Sequence, residues 1–174
     1  DRDTSGCLMI ARKRAALKAL HGSMLAQKID KQYLALVRGR WAKGRGTINA
    51  PLLKRTVASG ERVVRADASG KSAITHYQIE ESFAAATLMR VTLETGRTHQ
   101  IRVHSQLAGH PLAGDSKYGD ELFNGQLREV GLNRMFLHAA TLRFRHPLSG
   151  KQVTVEAPLP EELTKVLARL RAVQ

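Results

Sequence analysis

The segment Thr95-Gly96-Arg97-Thr98-His99-Gln100-Ile101-Arg102 concentrates hydrogen-bond donors where a helix is expected to begin. Free backbone N–H groups and the helix dipole at such a point also favour anions. Within it, His99, Arg102 and Gln106 stand at i, i+3 and i+7, so they share one helical face that suits a phosphate or a carboxylate; a solvated polar face with a capping turn fits the same spacing. Asp1 and Asp3, followed by Thr4 and Ser5, form a dense polar cluster that is either a capping loop or a carboxylate site. Tyr33, flanked by Lys31 and Arg38, is either an ordinary strand aromatic or a platform on which a base stacks. Other chemistries find no support. His99, His104 and His110 do not have zinc-ligand spacing, so no metal site is expected. Glycine-rich phosphate loops are absent. Ser5, His99 and Asp115 could make a triad on paper, but no serine stands in a nucleophile elbow.

The elements that must position these groups follow from periodicity. Residues 7–11 read as a short buried strand, in which the single cysteine, Cys7, is a small buried hydrophobe and not a disulfide partner. A helix is predicted over 12–28, with Leu17, Leu20 and Met24 at helical spacing. Strands are predicted at 32–37, 72–80, 84–93, 140–145 and 153–156. Between Gly44 and Gly70 lies a glycine-rich, basic, hairpin-like excursion with strand candidates at 46–50 and 61–66. A helix capped by Thr98 should run to Ala108, residues 114–133 should form a loop with one short helix, and a last helix opens at Pro160-Glu161-Glu162. Consecutive strands with irregularly interspersed helices argue for an α+β fold, a mixed and mainly antiparallel sheet with flanking helices.

The 174 residues include 28 Lys and Arg against 15 Asp and Glu, a net charge of +13 and a pI of about 10.6. That balance asks for a polyanionic partner and is the usual electrostatic footprint of a nucleic-acid binder, an inert basic surface being the bland alternative. A membrane partner is not expected: the basic residues are scattered, and no stretch approaches the ~18 apolar residues of a transmembrane helix. The lone cysteine fits a reducing cytoplasm.

Taken together, these segments resemble the ribosomal large-subunit pseudouridine synthases of the RluA, RluC and RluD group, the RluC branch standing nearest. Asp1-Arg2-Asp3-Thr4-Ser5-Gly6 matches the second half of that family's His-Arg-Leu-Asp-x-x-Thr-Ser-Gly motif. Lys31-Gln32-Tyr33-Leu34-Ala35-Leu36-Val37-Arg38-Gly39 is similar to its tyrosine motif, the segment from Thr95 to His104 to its arginine motif, and Phe136-Leu137-His138-Ala139 to a last block. The four blocks in order cover essentially the whole chain. The resemblance implies a pseudouridine synthase fold over residues 1–174 and an isomerase that turns specific uridines of large-subunit (23S) ribosomal RNA into pseudouridine. No group is gained or lost, so no cofactor is implied. Asp1 is the implied catalytic carboxylate, not Asp3, with Arg102 holding it through a fork-like salt bridge and Tyr33 stacking on a flipped base. Leu137 would close the pocket, and Lys31, Arg97, His99 and Gln100 would contact RNA.

Further expectations are a monomer that needs no membrane, and a catalytic domain truncated at its N-terminus, without the His-Arg-Leu before Asp1 and without an upstream RNA-binding domain. The rivals are a non-catalytic RNA-binding module, against which Asp1 speaks because a carboxylate in a phosphate-lined cleft weakens binding, and a metal-dependent nuclease, which lacks a carboxylate cluster.

Overall fold

The computed structural model describes residues 1–58 and 60–173. Its centre is a seven-stranded sheet built from β1 (Ser5–Gly6), β2 (Asp30–Arg38), β3 (Arg45–Asn49), β6 (Ile74–Ser82), β7 (Ala86–Leu93), β8 (Leu137–Arg145) and β9 (Gln152–Glu156). The order is β1-β8-β2-β7-β6-β3, with β9 following β1 along the same edge of β8. Only the β1–β8 pairing is parallel, so the sheet is mixed and mainly antiparallel, as the sequence predicts. A separate hairpin joins β4 (Leu52–Thr56) to β5 (Arg62–Ala66). Among the described residues four helices complete the fold: α1 (Arg14–Leu25), α2 (Gln100–Leu107), α3 (Glu121–Glu129) and α4 (Glu161–Ala172). Among the described residues no helix is long and apolar enough to cross a membrane.

The apolar run of β2 is explained by burial on both faces of the sheet. Leu36 joins Phe123, Leu127, Phe136, Leu163 and Val166 under α3 and α4. Ala35 and Val37 point the other way and pack with Met89, Val91, Ile101 and Leu137 beneath α2. Tyr33, two residues before Ala35, shares that second face. At this point the β2–β8 register slips: Gln32 faces Thr141 but Tyr33 faces Ala139, so Ala140 is an extra residue on β8. Such a bulge bends the sheet and re-aims the side chains beside it.

Several sequence expectations change. Residues 7–11 form no strand; Leu8 and Ile10 are 82% and 78% exposed, and Cys7 is only half-buried. The strand there is Ser5–Gly6, because the backbone of that pair lies against His138 and Ala139. Gly6 is required: its φ is +102°, and a Cβ would sit 2.2 Å from the Ala139 carbonyl oxygen. Helix α1 is shorter than 12–28, and of its apolar stripe only Leu20 is buried, Leu17 and Met24 remaining half-exposed. β4 was not expected. β8 starts at Leu137, three residues before the alternating run suggests, because its first residues are buried on both sides.

Candidate active site

Three elements bring the chemistry-bearing residues together. Pairing of β1 with β8 carries the preceding Asp1 to the sheet face occupied by Tyr33 and Leu137. The turn after β7 then brings His99 and Arg102, at the start of α2, against it. The resulting pocket has a volume of about 390 Å³, and Asp1, Lys31, Tyr33, Arg97, His99, Gln100 and Leu137 are all in its wall. That is the size range of small-ligand sites, roughly 300–1,000 Å³.

Asp1 has a side chain only 14% exposed. Its Oδ1 lies 3.3 Å from His99 Nε2 and 3.6 Å from Arg102 Nη1. Asp3 is exposed and contributes its backbone carbonyl, which accepts from Arg134 Nη2 at 2.8 Å. The expected fork between Arg102 and Asp1 is not formed. Arg102 instead donates from Nε and Nη2 to the two carboxylate oxygens of Asp115, at 2.7 and 2.8 Å, and only Nη1 is left for Asp1. A guanidinium can present two parallel donors to a single carboxylate, and the fully buried Asp115 side chain takes them. Asp115 Oδ1 also accepts the backbone N–H groups of Lys117 and Tyr118. Burial pushes the Asp115 carboxyl up, but the Arg102 hydrogen bond and the two amides outweigh it and hold the group below its ordinary value. The arrangement fixes Arg102 rigidly and leaves Asp1 a neighbouring cation without a full hydrogen-bonded pair.

His99, not Thr98, stands before α2. Its φ of 54° puts a non-glycine residue in the left-handed region, with no side-chain cap on the helix. Burial first, then the charges of Arg102 and Lys117, push its imidazole down to about 4, so it is neutral at pH 7. Its Nδ1 lies 2.9 Å from the Tyr118 hydroxyl. Gln106 does not join the group; it lies exposed near the end of α2.

Gln100 is buried and its amide is fully engaged. Oε1 accepts from Thr95 Oγ1 and the Arg97 N–H, and Nε2 donates to the Ile74 carbonyl and Thr75 Oγ1. It therefore braces the turn that carries Arg97 and His99. Arg97 is exposed, and its Nε donates to the Ser72 carbonyl. Lys31 lies close over Gly96, where a Cβ would come 2.9 Å from its Nζ; partial burial lowers its ammonium from the usual value. Burial likewise pushes the Tyr33 phenol above 10, which keeps its hydroxyl protonated at neutral pH. Tyr33 and Leu137 are diagonal neighbours on one face, since Tyr33 pairs with Ala139 and Leu137 with Ala35.

Two buried histidines hold the fold. His104 donates from Nε2 to the Ala50 carbonyl and accepts from Thr75, while His138 donates to the Ala157 carbonyl and accepts from Ser5 Oγ. Ser5 thus bonds His138, not His99, and the paper triad is not assembled. Among the described residues no three His, Cys, Asp or Glu converge to hold a metal ion. Two members of the site escape the sequence reading: Asp115 as the partner of Arg102, and Tyr118. Their signal is Gly114-Asp115-Ser116-Lys117-Tyr118-Gly119, a glycine-flanked loop whose aspartate can bond the N–H groups two and three residues on.

Comparison with known proteins shows the family and the fold. The profile described as RNA pseudouridylate synthase matches residues 1–107. The chain is 51% identical over 172 residues to the ribosomal large subunit pseudouridine synthase C of Haemophilus ducreyi, covering 99% of this chain and 54% of that protein. With its counterpart from Escherichia coli K12 it is 52% identical over 173 residues, covering 98% and 54%. The chain thus spans about half the length of the curated relatives it matches. Among solved structures, human RNA pseudouridylate synthase domain containing 1 superposes with a TM-score of 0.76 at 28% identity, over 99% of this chain and 78% of that one. Human RNA pseudouridylate synthase domain containing 4 shares the fold, with a TM-score of 0.72 at 23% identity over 91% and 69%.

Proposed function

The chain belongs to the RNA pseudouridylate synthase family, and from that premise we propose that it isomerises uridines of large-subunit ribosomal RNA to pseudouridine, with Asp1 as the catalytic carboxylate. The observation that carries this reading is a mostly buried carboxylate, flanked by a neutral imidazole and a guanidinium, lining one pocket with Tyr33 and Leu137. Uridine isomerisation breaks the N1–C1′ bond, turns the base and forms the C5–C1′ bond, while C5 loses a proton and N1 gains one. A carboxylate beside C1′ serves this either as nucleophile or as the base that opens a glycal route. The contacts of Asp1 with His99 and Arg102 both fall on Oδ1, which leaves Oδ2 for the reacting carbon. The flat Tyr33 ring offers a stacking surface for a base that has left its helix, and Leu137 supplies an apolar wall beside it.

The route of the RNA backbone is suggested by a second hollow of about 520 Å³, which shares residues Gly96, Arg97 and Thr98 with the first and is lined by Lys54 and Lys71. Among the described residues neither lysine has a carboxylate partner. Together with the +13 charge, these cations favour a strand entering over the β4–β5 hairpin. The reading further takes the protein to act as a monomer, and to act in the cytoplasm on ribosomal RNA.

The test is incubation of the protein with an unmodified large-subunit ribosomal RNA transcript, followed by mapping of pseudouridine. Conversion at discrete uridines without added metal or cofactor is expected. Binding without any conversion would overturn the reading.

A further inference from the structure

We propose that the Tyr118 hydroxyl fixes the neutral tautomer of His99 so that an N–H, and not a lone pair, faces the Asp1 carboxylate, which makes Tyr118 a positioning residue for the isomerisation proposed above. The inference starts from donors and acceptors that have no freedom. Tyr118 is buried, at 5% exposure, between α2 and the β4–β5 hairpin. Its Oη accepts the backbone N–H of Val64 at 3.1 Å, a donor that cannot reverse its role. The same oxygen lies 2.9 Å from His99 Nδ1. A phenol has one proton of its own, and with Val64 already donating, His99 Nδ1 is the acceptor in reach. Nδ1 is then a lone-pair nitrogen, and the imidazole proton belongs on Nε2. That nitrogen is the one 3.3 Å from Asp1 Oδ1, near enough for its proton to be felt electrostatically though not aligned as a hydrogen bond.

The opposite tautomer conflicts at both ends. Nδ1–H and Val64 N–H would both point at one phenolic oxygen, stranding the hydroxyl proton in a buried site, and the Nε2 lone pair would face a carboxylate. A doubly protonated ring repeats the first conflict. It also adds charge beside Arg102, whose guanidinium carbon is 5.0 Å from the Tyr118 ring centre, and Lys117, whose Nζ is 5.8 Å from it. The low basicity of His99, with a pKa of about 4, agrees with a neutral ring.

Backbone geometry points the same way. His99 occupies the left-handed region at φ 54°, and conformations of this kind persist where surrounding contacts hold them and tend to cluster at functional sites. Here the conformation turns the imidazole so that it bridges Tyr118 and Asp1. The loop 115–118 therefore serves both neighbours of Asp1, Asp115 through Arg102 and Tyr118 through His99. The two are themselves joined, since Asp115 Oδ1 accepts the Tyr118 N–H.

The experiment is two-bond ¹⁵N–¹H correlation of the full chain labelled at histidine, with the His99 resonances identified by their loss in His99→Gln. The wild-type protein should show one neutral tautomer protonated at Nε2. Tyr118→Phe keeps the ring under Arg102 and removes only the hydroxyl; it should populate both tautomers and, on unmodified RNA, lose at least about tenfold in kcat with KM within about twofold, the kind of defect a misdirected imidazole causes. A proton on Nδ1 in the wild type, an unchanged tautomer in Tyr118→Phe, or a changed tautomer with undiminished kcat would each overturn the proposal. The tautomer is read without RNA, so wild-type protein that made no pseudouridine would refute the proposed function alone.

Discussion

Replacement of Asp115 by Asn should destabilise the protein and disable the site together, although the amide is nearly isosteric with the carboxylate. Asp115 Oδ1 accepts three donors, from Arg102 Nη2, Lys117 N–H and Tyr118 N–H, while Oδ2 accepts Arg102 Nε–H. An asparagine oxygen can take only one of these two places. Set at the Oδ1 position, it keeps the backbone pair but turns its NH₂ against Arg102 Nε–H, two donors facing in a buried space. The loss of one charge-assisted hydrogen bond and of the buried counter-charge puts the cost at about 3 kcal/mol, the lower end for breaking a buried pair. For a chain of this size that is roughly 6–12 °C in Tm. Arg102, released from its anchor, should lean towards Asp1, and kcat should fall at least about tenfold, since catalytic groups must be held to within a fraction of an ångström. Thermal unfolding and single-turnover kinetics of the same preparation check both parts. Because the Asp115 carboxyl is held below its ordinary value, the native state releases that proton at lower pH than the unfolded chain does. Its stabilisation is therefore complete above the unfolded value and is lost as pH falls through the native one; in Asp115→Asn this acid limb should vanish. A variant within about 1 kcal/mol of wild type, well under the cost of a broken buried pair, and with a normal rate would refute the reasoning.

Arg102→Lys should be severely impaired with charge retained, because one ammonium cannot serve both Asp115 oxygens and also stand near Asp1; a near-normal rate would reduce Arg102 to a general phosphate attractor. Tyr33→Ala should lose the stacking surface, about 1–3 kcal/mol in substrate affinity, whereas the protonated hydroxyl should give no phenolate limb in the rate profile below about pH 10. His99, depressed to about 4, should contribute no limb between pH 6 and 8, and its share of stability should decline as pH falls from its unfolded value of 6.5 towards 4; a kinetic pKa near 6.5 that disappears in His99→Gln would contradict this. Lys54→Gln and Lys71→Gln should each lower the salt dependence of RNA binding by about one phosphate contact while leaving kcat at saturating RNA unchanged.

The parts of this site legible in sequence are those whose signal is local. Tyr33 lies in a run whose aromatic and branched residues read as a strand, and His99 and Arg102 lie one turn apart at a helix start, so their placement follows from short-range rules. The anchor of Arg102 was not legible, because a guanidinium beside two carboxylates pairs with the one its helix approaches at hydrogen-bonding distance, and that depends on how the loop 114–119 lies under α2. The error over residues 7–11 has a related cause. An apolar run of five reads as a buried strand, yet here the pairing edge of β8 is already taken by Ser5 and Gly6 and, farther along, by β9. The missed strand β4 has the opposite character: Leu52-Leu53-Lys54-Arg55-Thr56 is mostly exposed and is ordered by its partner β5 more than by its own pattern. Thr98 looked like the cap of α2 on residue type alone, but the left-handed turn at His99 is imposed by contacts from Tyr118 and Asp1, distant and unpatterned in sequence.

The most direct measurement of whether Asp1 carries the chemistry is pseudouridine formation by Asp1→Asn on an unmodified large-subunit ribosomal RNA transcript, with RNA affinity determined alongside. The amide keeps the shape of the side chain and removes its charge and nucleophilicity. The expected result is no detectable pseudouridine with affinity within a few-fold of wild type; conversion at the wild-type rate would show that the chemistry resides elsewhere and that the carboxylate between His99 and Arg102 is only a structural anchor.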